Sequence, residues 1–244
     1  MAQPGAKVKR SAQKGRGMLI DGDIPVTVRR SARARRMTLR VARANGEVVL
    51  TLPLRVPEAD GRAFAESRAD WLRKTRARIP SQRLVHPGAL IPVEGRALAI
   101  TPAPVRVVRP EGAQLLVPEN RPAHVTVAAW LKHLAQQRLL AASTRHATAI
   151  GRPFSSLALR DTRSRWGSCT VDGRLMFSWR LAMAPPAVLD YVAAHEVAHL
   201  RHMDHSAAFW AATARLMPDY QLHRDWLRVN GHDLLSWQFR DKTD

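Results

Sequence analysis

The chain has 244 residues, 45% of them apolar, which suits one sizeable core or a small domain beside a larger one and excludes a disordered chain. Its 39 Lys and Arg against 20 Asp and Glu leave a formal charge of +19, favouring anionic partners such as nucleotides or nucleic acid, although an Arg- and Ala-rich composition of the kind a GC-rich genome encodes produces the same excess. The single cysteine, Cys169, excludes an internal disulfide and fits a reducing, cytoplasmic setting, and no run approaches the ~18 apolar residues needed to cross a bilayer, so no membrane partner is expected.

Residues 1–16 are polar and basic without an apolar core, and read as a flexible tail rather than a secretory signal. From 17 to 120 the pattern is strand-rich. Val26-Thr27-Val28 and the run Met37 to Val41 alternate, and Asn45-Gly46 turns the chain into Val48 to Leu52, a hairpin signal because both turn residues need positive φ. Glu94-Gly95 and Glu111-Gly112 mark further turns. One helix is expected at 58–78, with Phe64, Trp71 and Leu72 as its buried stripe. Pro122 precedes a long helix at about 123–149, whose Val127, Trp130, Leu131, Leu134 and Leu139 keep helical spacing, and Gly151-Arg152-Pro153 ends it. A strand pair is expected next, Ser155 to Arg160 with Trp166 to Val171, after which Asp172-Gly173 reverses the chain into Arg174 to Trp179. Pro185-Pro186 opens another helix, where a missing N–H is harmless. The fold class is α+β, cut near residue 121 into a strand-rich N-terminal part and an α+β C-terminal part, 121–244.

Tyr191 to His199 contains His195-Glu196-Val197-Ala198-His199, an H-E-x-x-H match inside that last helix. Residues four apart share a helical face about 6 Å apart along the axis, so two imidazoles can hold one ion. Glu196 is turned about 100° from His195 and flanks the ion, where a general base for a water molecule belongs. His205, six residues past His199, would lie about 9 Å further along a continuing helix, too far for a Zn–N bond of about 2.0–2.1 Å. The helix must therefore end near Arg201 or His202, with the chain folding back through Met203-Asp204 and Ser206 capping a helix from Ala207 to Leu216 that carries Phe209 and Trp210. His202 is the rival third ligand, but sits about 10 Å along the axis from His195. Three protein ligands leave a fourth position open, as in catalytic zinc sites. Asp190, His223, His232 and Asp233 are candidate supporting partners. The spacing from His195 to His205 equals that of the metzincin pattern, with His202 where its glycine stands and no Met-turn downstream.

Thr162-Arg163-Ser164-Arg165-Trp166-Gly167-Ser168-Cys169, Asp190-Tyr191-Val192, His195 to Leu200 and His205 to Trp210 together resemble the YgjP-like zinc metallopeptidases, relatives of the SprT and WLM proteases. A weaker likeness runs through Arg36 to Val41 and Asp70-Trp71-Leu72. The resemblance implies a zincin-like α+β core, a zinc ion (Zn2+) on His195, His199 and His205, and Glu196 as base. It leaves the substrate open, since some members are linked to nucleotide hydrolysis.

In zincin-like folds the strand before the metal helix lines the cleft and pairs with an extended peptide. By that resemblance Gly167 allows close backbone approach, Trp166 offers a flat wall, and Arg165 stabilises an oxyanion or grips a carboxylate or phosphate; the structural alternative makes Trp166 core filler, Arg165 a salt-bridge partner and Gly167 a bulge. Cys169 reads as a small buried hydrophobe, since no second cysteine supports a ligand role. The leading functional expectation is a zinc metallopeptidase acting on peptides or proteins. The alternatives are a metal-dependent nucleoside triphosphate hydrolase using the same site, which lacks a phosphate-cradling G-x-x-x-x-G-K-[ST] signature, and a nucleic-acid-binding module with a structural metal.

Overall fold

Alternation of apolar side chains builds the first sheet. The computed structural model describes residues 16–42, 46–77, 81–162 and 164–240, so the basic tail, Asn45 and Arg163 of the readings above lie outside the described residues. Strands β1 (Arg16–Ile20), β2 (Ile24–Ser31), β3 (Thr38–Val41) and β4 (Val48–Pro53) form a sheet in the order β1-β2-β4-β3. Its inner face carries Ile24, Val26, Val28, Val48, Leu50 and Leu52, all buried, as a half-buried strand with period two requires. Helices α1 (Glu58–Glu66) and α2 (Ala69–Ala77) cover that face. The single helix expected at 58–78 is thus two. The break at Ser67-Arg68 shifts the phase of the second segment, so Ala69 and Leu72 are buried and Trp71 is 46% exposed. Trp71 therefore leaves the expected stripe, while Phe64 stays half-buried against the core.

These elements make one compact unit, residues 1–79, and the rest of the chain, 80–244, makes the other. The division falls well before the cut expected near 121, and the packing explains why. Strands β5 (Arg83–Leu84), β6 (Leu90–Val93), β7 (Arg96–Ala103), β8 (Arg109–Glu111) and β9 (Gln114–Pro118) precede helix α3 (Ala123–Ile150), and Ile91, Leu98, Ile100, Leu115 and Val117 share one core with Val127, Leu131, Ala135 and Leu139 of α3. The sheet order is β6-β7-β9-β8. Its β6–β7 turn is Glu94-Gly95, with φ of 47° and 80°, the left-handed pair a two-residue hairpin demands. At the far end of α3, Gly151 stands at φ 63° and caps the helix with backbone bonds to Ala147 and Thr148, the usual left-handed stop.

Strands β10 (Ser156–Arg160), β11 (Gly167–Cys169) and β12 (Arg174–Ser178) follow. β10 and β11 do not pair with each other, contrary to expectation. Both pair with β12, β10 in parallel and β11 antiparallel, so β11 is an edge strand. The Asp172-Gly173 turn lets β12 enter between them. A 3-10 turn, Trp179–Met183, leads through Pro185 into α4 (Pro186–Ala198), followed by α5 (Ala207–Leu216), α6 (Tyr220–Ser236) and β13 (Trp237–Gln238), which pairs in parallel with β5. α4 is buried on nearly every side, as expected of a helix apolar all round. Arg180, 3% exposed, is tied by a two-point contact to Asp161 (2.6 and 3.2 Å) and by bonds to the carbonyls of Leu234 and Trp237, so its buried charge is matched on every side.

Candidate metal centre and cleft

α4 ends at Ala198, and a tight turn carries His199 to His202, with Leu200 bonding to Val197 and His202 to Ala198. Asp204 then accepts from the Ser206 amide, and the Ser206 hydroxyl accepts from the Phe209 amide at the start of α5. The expected Ser206 cap is in place. This fold-back brings His205 beside His195 and His199: one ligand atom from each of the three lies within 4.8 Å of the others. His202 contributes no ring nitrogen to this cluster. Its backbone carbonyl instead receives the His199 Nδ1–H at 2.9 Å, which leaves Nε2 of His199 with a free lone pair.

The donor set fits a small divalent cation. Nε2 of His195 and Nε2 of His205 are 3.2 Å apart, while two nitrogens bound tetrahedrally at Zn–N distances of 2.0–2.1 Å stand about 3.4 Å from each other. Burial, with the neighbouring His199 and His205, pushes His195 down to about 3, and burial also lowers His199. Neutral imidazoles are the ligand form. Beneath them lies Phe209, fully buried, with its ring 4.9, 4.4 and 4.8 Å from those of His195, His199 and His205.

Glu196 is 5% exposed and lines an open cleft of about 250 Å³ with the three histidines, Gly167, Ser168, Cys169 and Met203. Burial raises its carboxyl to about 8, opposed by the charge of Arg165; a bound cation acts on it in the same sense as Arg165. The carboxylate lies directly against the edge strand: a Cβ at Gly167 would stand 2.5 Å from Oε1 and 2.6 Å from Cγ of Glu196. Of the three residues expected to meet substrate, Gly167 therefore lines the cleft. Trp166 is half-buried against Gly231 of α6, whose added Cβ would come within 3.0 Å of its ring. Arg165 is exposed, near enough for its charge to act on Glu196. Cys169 faces the cleft, half-buried, and its thiol is raised to about 11 by burial and the charges of Glu196 and Asp172, so no thiolate forms near neutrality.

The sequence of the YgjP-like, metallopeptidase domain family matches residues 35–230. The chain belongs to the YgjP-like metallopeptidase family. Membership makes it a metal-dependent peptidase, and the three-histidine cluster is compatible with the divalent ion this implies. Among solved structures, the crystal structure of the metallopeptidase zymogen of Pyrococcus abyssi abylysin is similar over 38% of this chain and 92% of its own, at 16% identity and a TM-score of 0.34. A likeness that distant carries no further weight. No curated protein matches the chain.

The remaining candidates of this YgjP-like chain serve elsewhere. Asp190 bonds His146 at 2.7 Å and Arg145, both on α3. His223 pairs with Asp219. His232 and Asp233 lie outside the histidine cluster. Sequence reasoning missed the aromatic surround: Tyr191 sits edge-on to His195, and Trp210 lies 5.7 and 5.8 Å from His195 and His205. The four-residue step from Tyr191 to His195 was visible, but a shared face does not say which neighbour fills it.

Proposed function

We propose that this protein is a zinc peptidase in which His195, His199 and His205 hold the ion and Glu196 is the general base. The observation that carries this reading is the convergence of three imidazoles and one buried carboxylate on a single cleft. Zinc bound by three imidazoles supplies Lewis acidity and brings a water proton within reach of a base near neutral pH. Glu196, beside the cluster but outside the ligand set, accepts that proton and delivers it to the leaving amine. Gly167, Ser168 and Cys169 offer an edge-strand backbone along the cleft, and an extended peptide adding to that edge would lie across Glu196. In this reading Arg165, whose charge acts on Glu196, steadies negative charge on the scissile carbonyl.

Zinc-loaded protein should cleave members of a peptide library, lose that activity to a chelator and regain it with zinc. Release of pyrophosphate or phosphate from nucleoside triphosphates, with no peptide cleaved under the same conditions, would replace the peptidase reading with the nucleotide one.

A further inference from the structure

Three helices bring matched pairs of residues to one side of the metal cluster. Tyr191 and His195 are four apart on α4, Tyr220 and Arg224 are four apart on α6, and Phe209 and Trp210 are adjacent on α5. Tyr191 stacks on Tyr220 (6.4 Å, 20° between planes), and Tyr220 stacks on Trp210 (5.3 Å, 19°). The Arg224 guanidinium caps this row, 4.6 Å from the Trp210 ring centroid. Since Trp210 also adjoins His195 and His205, one continuous wall runs from the imidazoles to a positive charge.

Arg224 is exposed and forms no ion pair or hydrogen bond among the described residues, whereas the neighbouring carboxylates Asp219 and Asp225 are engaged by His223 and Arg228. Its field still reaches inward: burial raises the Tyr191 phenol to about 12, and Arg224 acts against that rise. A guanidinium over an aromatic face still has N–H donors to offer, and two of them can receive a carboxylate in a two-point contact.

We propose that Arg224, seated on Trp210, is a specificity residue that recognises a carboxylate on the substrate peptide, so that the cleft prefers acidic peptides. The assignment rests on the peptidase reading above. The carboxylate is either a Glu or Asp side chain or the peptide's own C-terminus, and one experiment separates the two. Peptides identical but for Glu against Gln at each position, and free acid against amide at the C-terminus, are given to the zinc-loaded full chain, to Arg224→Gln and to Arg224→Lys. The wild type should turn over one carboxylate-bearing peptide with a kcat/KM about tenfold above its neutral twin. Arg224→Gln should collapse that ratio towards one, and Arg224→Lys should keep part of it. Equal turnover of the twins by the wild type, or a ratio unchanged in Arg224→Gln, overturns the proposal. Failure to cleave any peptide defeats the peptidase reading instead. Recognition is then read without turnover, by calorimetric titration of the same twins into zinc-loaded Glu196→Gln with and without Arg224→Gln; equal affinity for both twins overturns the assignment of Arg224 there as well.

Discussion

At the scale of single residues, the closest constraint on the cleft is Gly167. Its backbone conformation is available to any residue, so the requirement for glycine comes from the Glu196 carboxylate pressed against its Cα. Gly167→Ala should displace that carboxylate and lower peptide turnover by at least about tenfold, the lower range of a misplaced general base, with zinc content unchanged. Turnover equal to wild type would mean that Glu196 can move without consequence. His202 gives a second test. Only its carbonyl meets His199, and a carbonyl survives substitution, so His202→Ala should retain zinc measured by atomic absorption while His205→Ala should lose it. The reverse result would reassign the third ligand. The histidine cluster was legible because helix spacing and bond length are local rules that forced the chain to turn back between His199 and His205. The direction of Trp166 was not legible, because a glycine 65 positions later on α6 makes room for its ring.

At the scale of elements, α4 is held to α3 by Asp190. His146 is 5% exposed and depends on that carboxylate for its hydrogen bond. Burial alone would raise Asp190, but the His146 hydrogen bond and the charges of His146 and Arg145 outweigh it and hold the carboxyl below the usual range. Asp190→Ala should therefore cost about 1–3 kcal/mol, the usual consequence of leaving a buried polar group unmatched, with Asp190→Asn costing less; denaturant titration reads both. A carboxyl with a depressed folded pKa stabilises above its unfolded value, about 3.9, and the gain fades as pH falls through the folded one. Wild type and Asp190→Ala should converge in acid, and a gap that stays constant down to pH 2 would contradict the ion-pair account. Turn chemistry made most strands readable: Glu94-Gly95, Glu111-Gly112 and Asp172-Gly173 each sit where a hairpin reverses. Strand neighbours were not, since β12 enters between β10 and β11 through pairing between strands. The 58–78 helix failed for a related reason, because an apolar pattern does not mark the break at Ser67-Arg68.

At the scale of the whole molecule, all three histidines, Glu196 and the edge strand belong to the unit 80–244, while the family match begins at residue 35 and so includes part of the other unit. Composition could not locate the division at residue 79, because the β6–β9 strands resemble the earlier ones locally and differ in the core they join. No helix of the described residues is long and apolar enough to cross a membrane. The net charge of +19 is not used by the metal site, yet an acidic substrate would be drawn to such a molecule from solution. The proposed function rests on one division of labour, in which the histidines hold the ion and Glu196 moves the proton. Glu196→Gln keeps the side-chain shape and removes the base. Zinc per chain and peptide turnover, measured together on this variant, test that division most directly. The account predicts about one zinc per chain with hydrolysis reduced at least ~10²-fold; turnover at the wild-type level, or loss of the zinc, would contradict it.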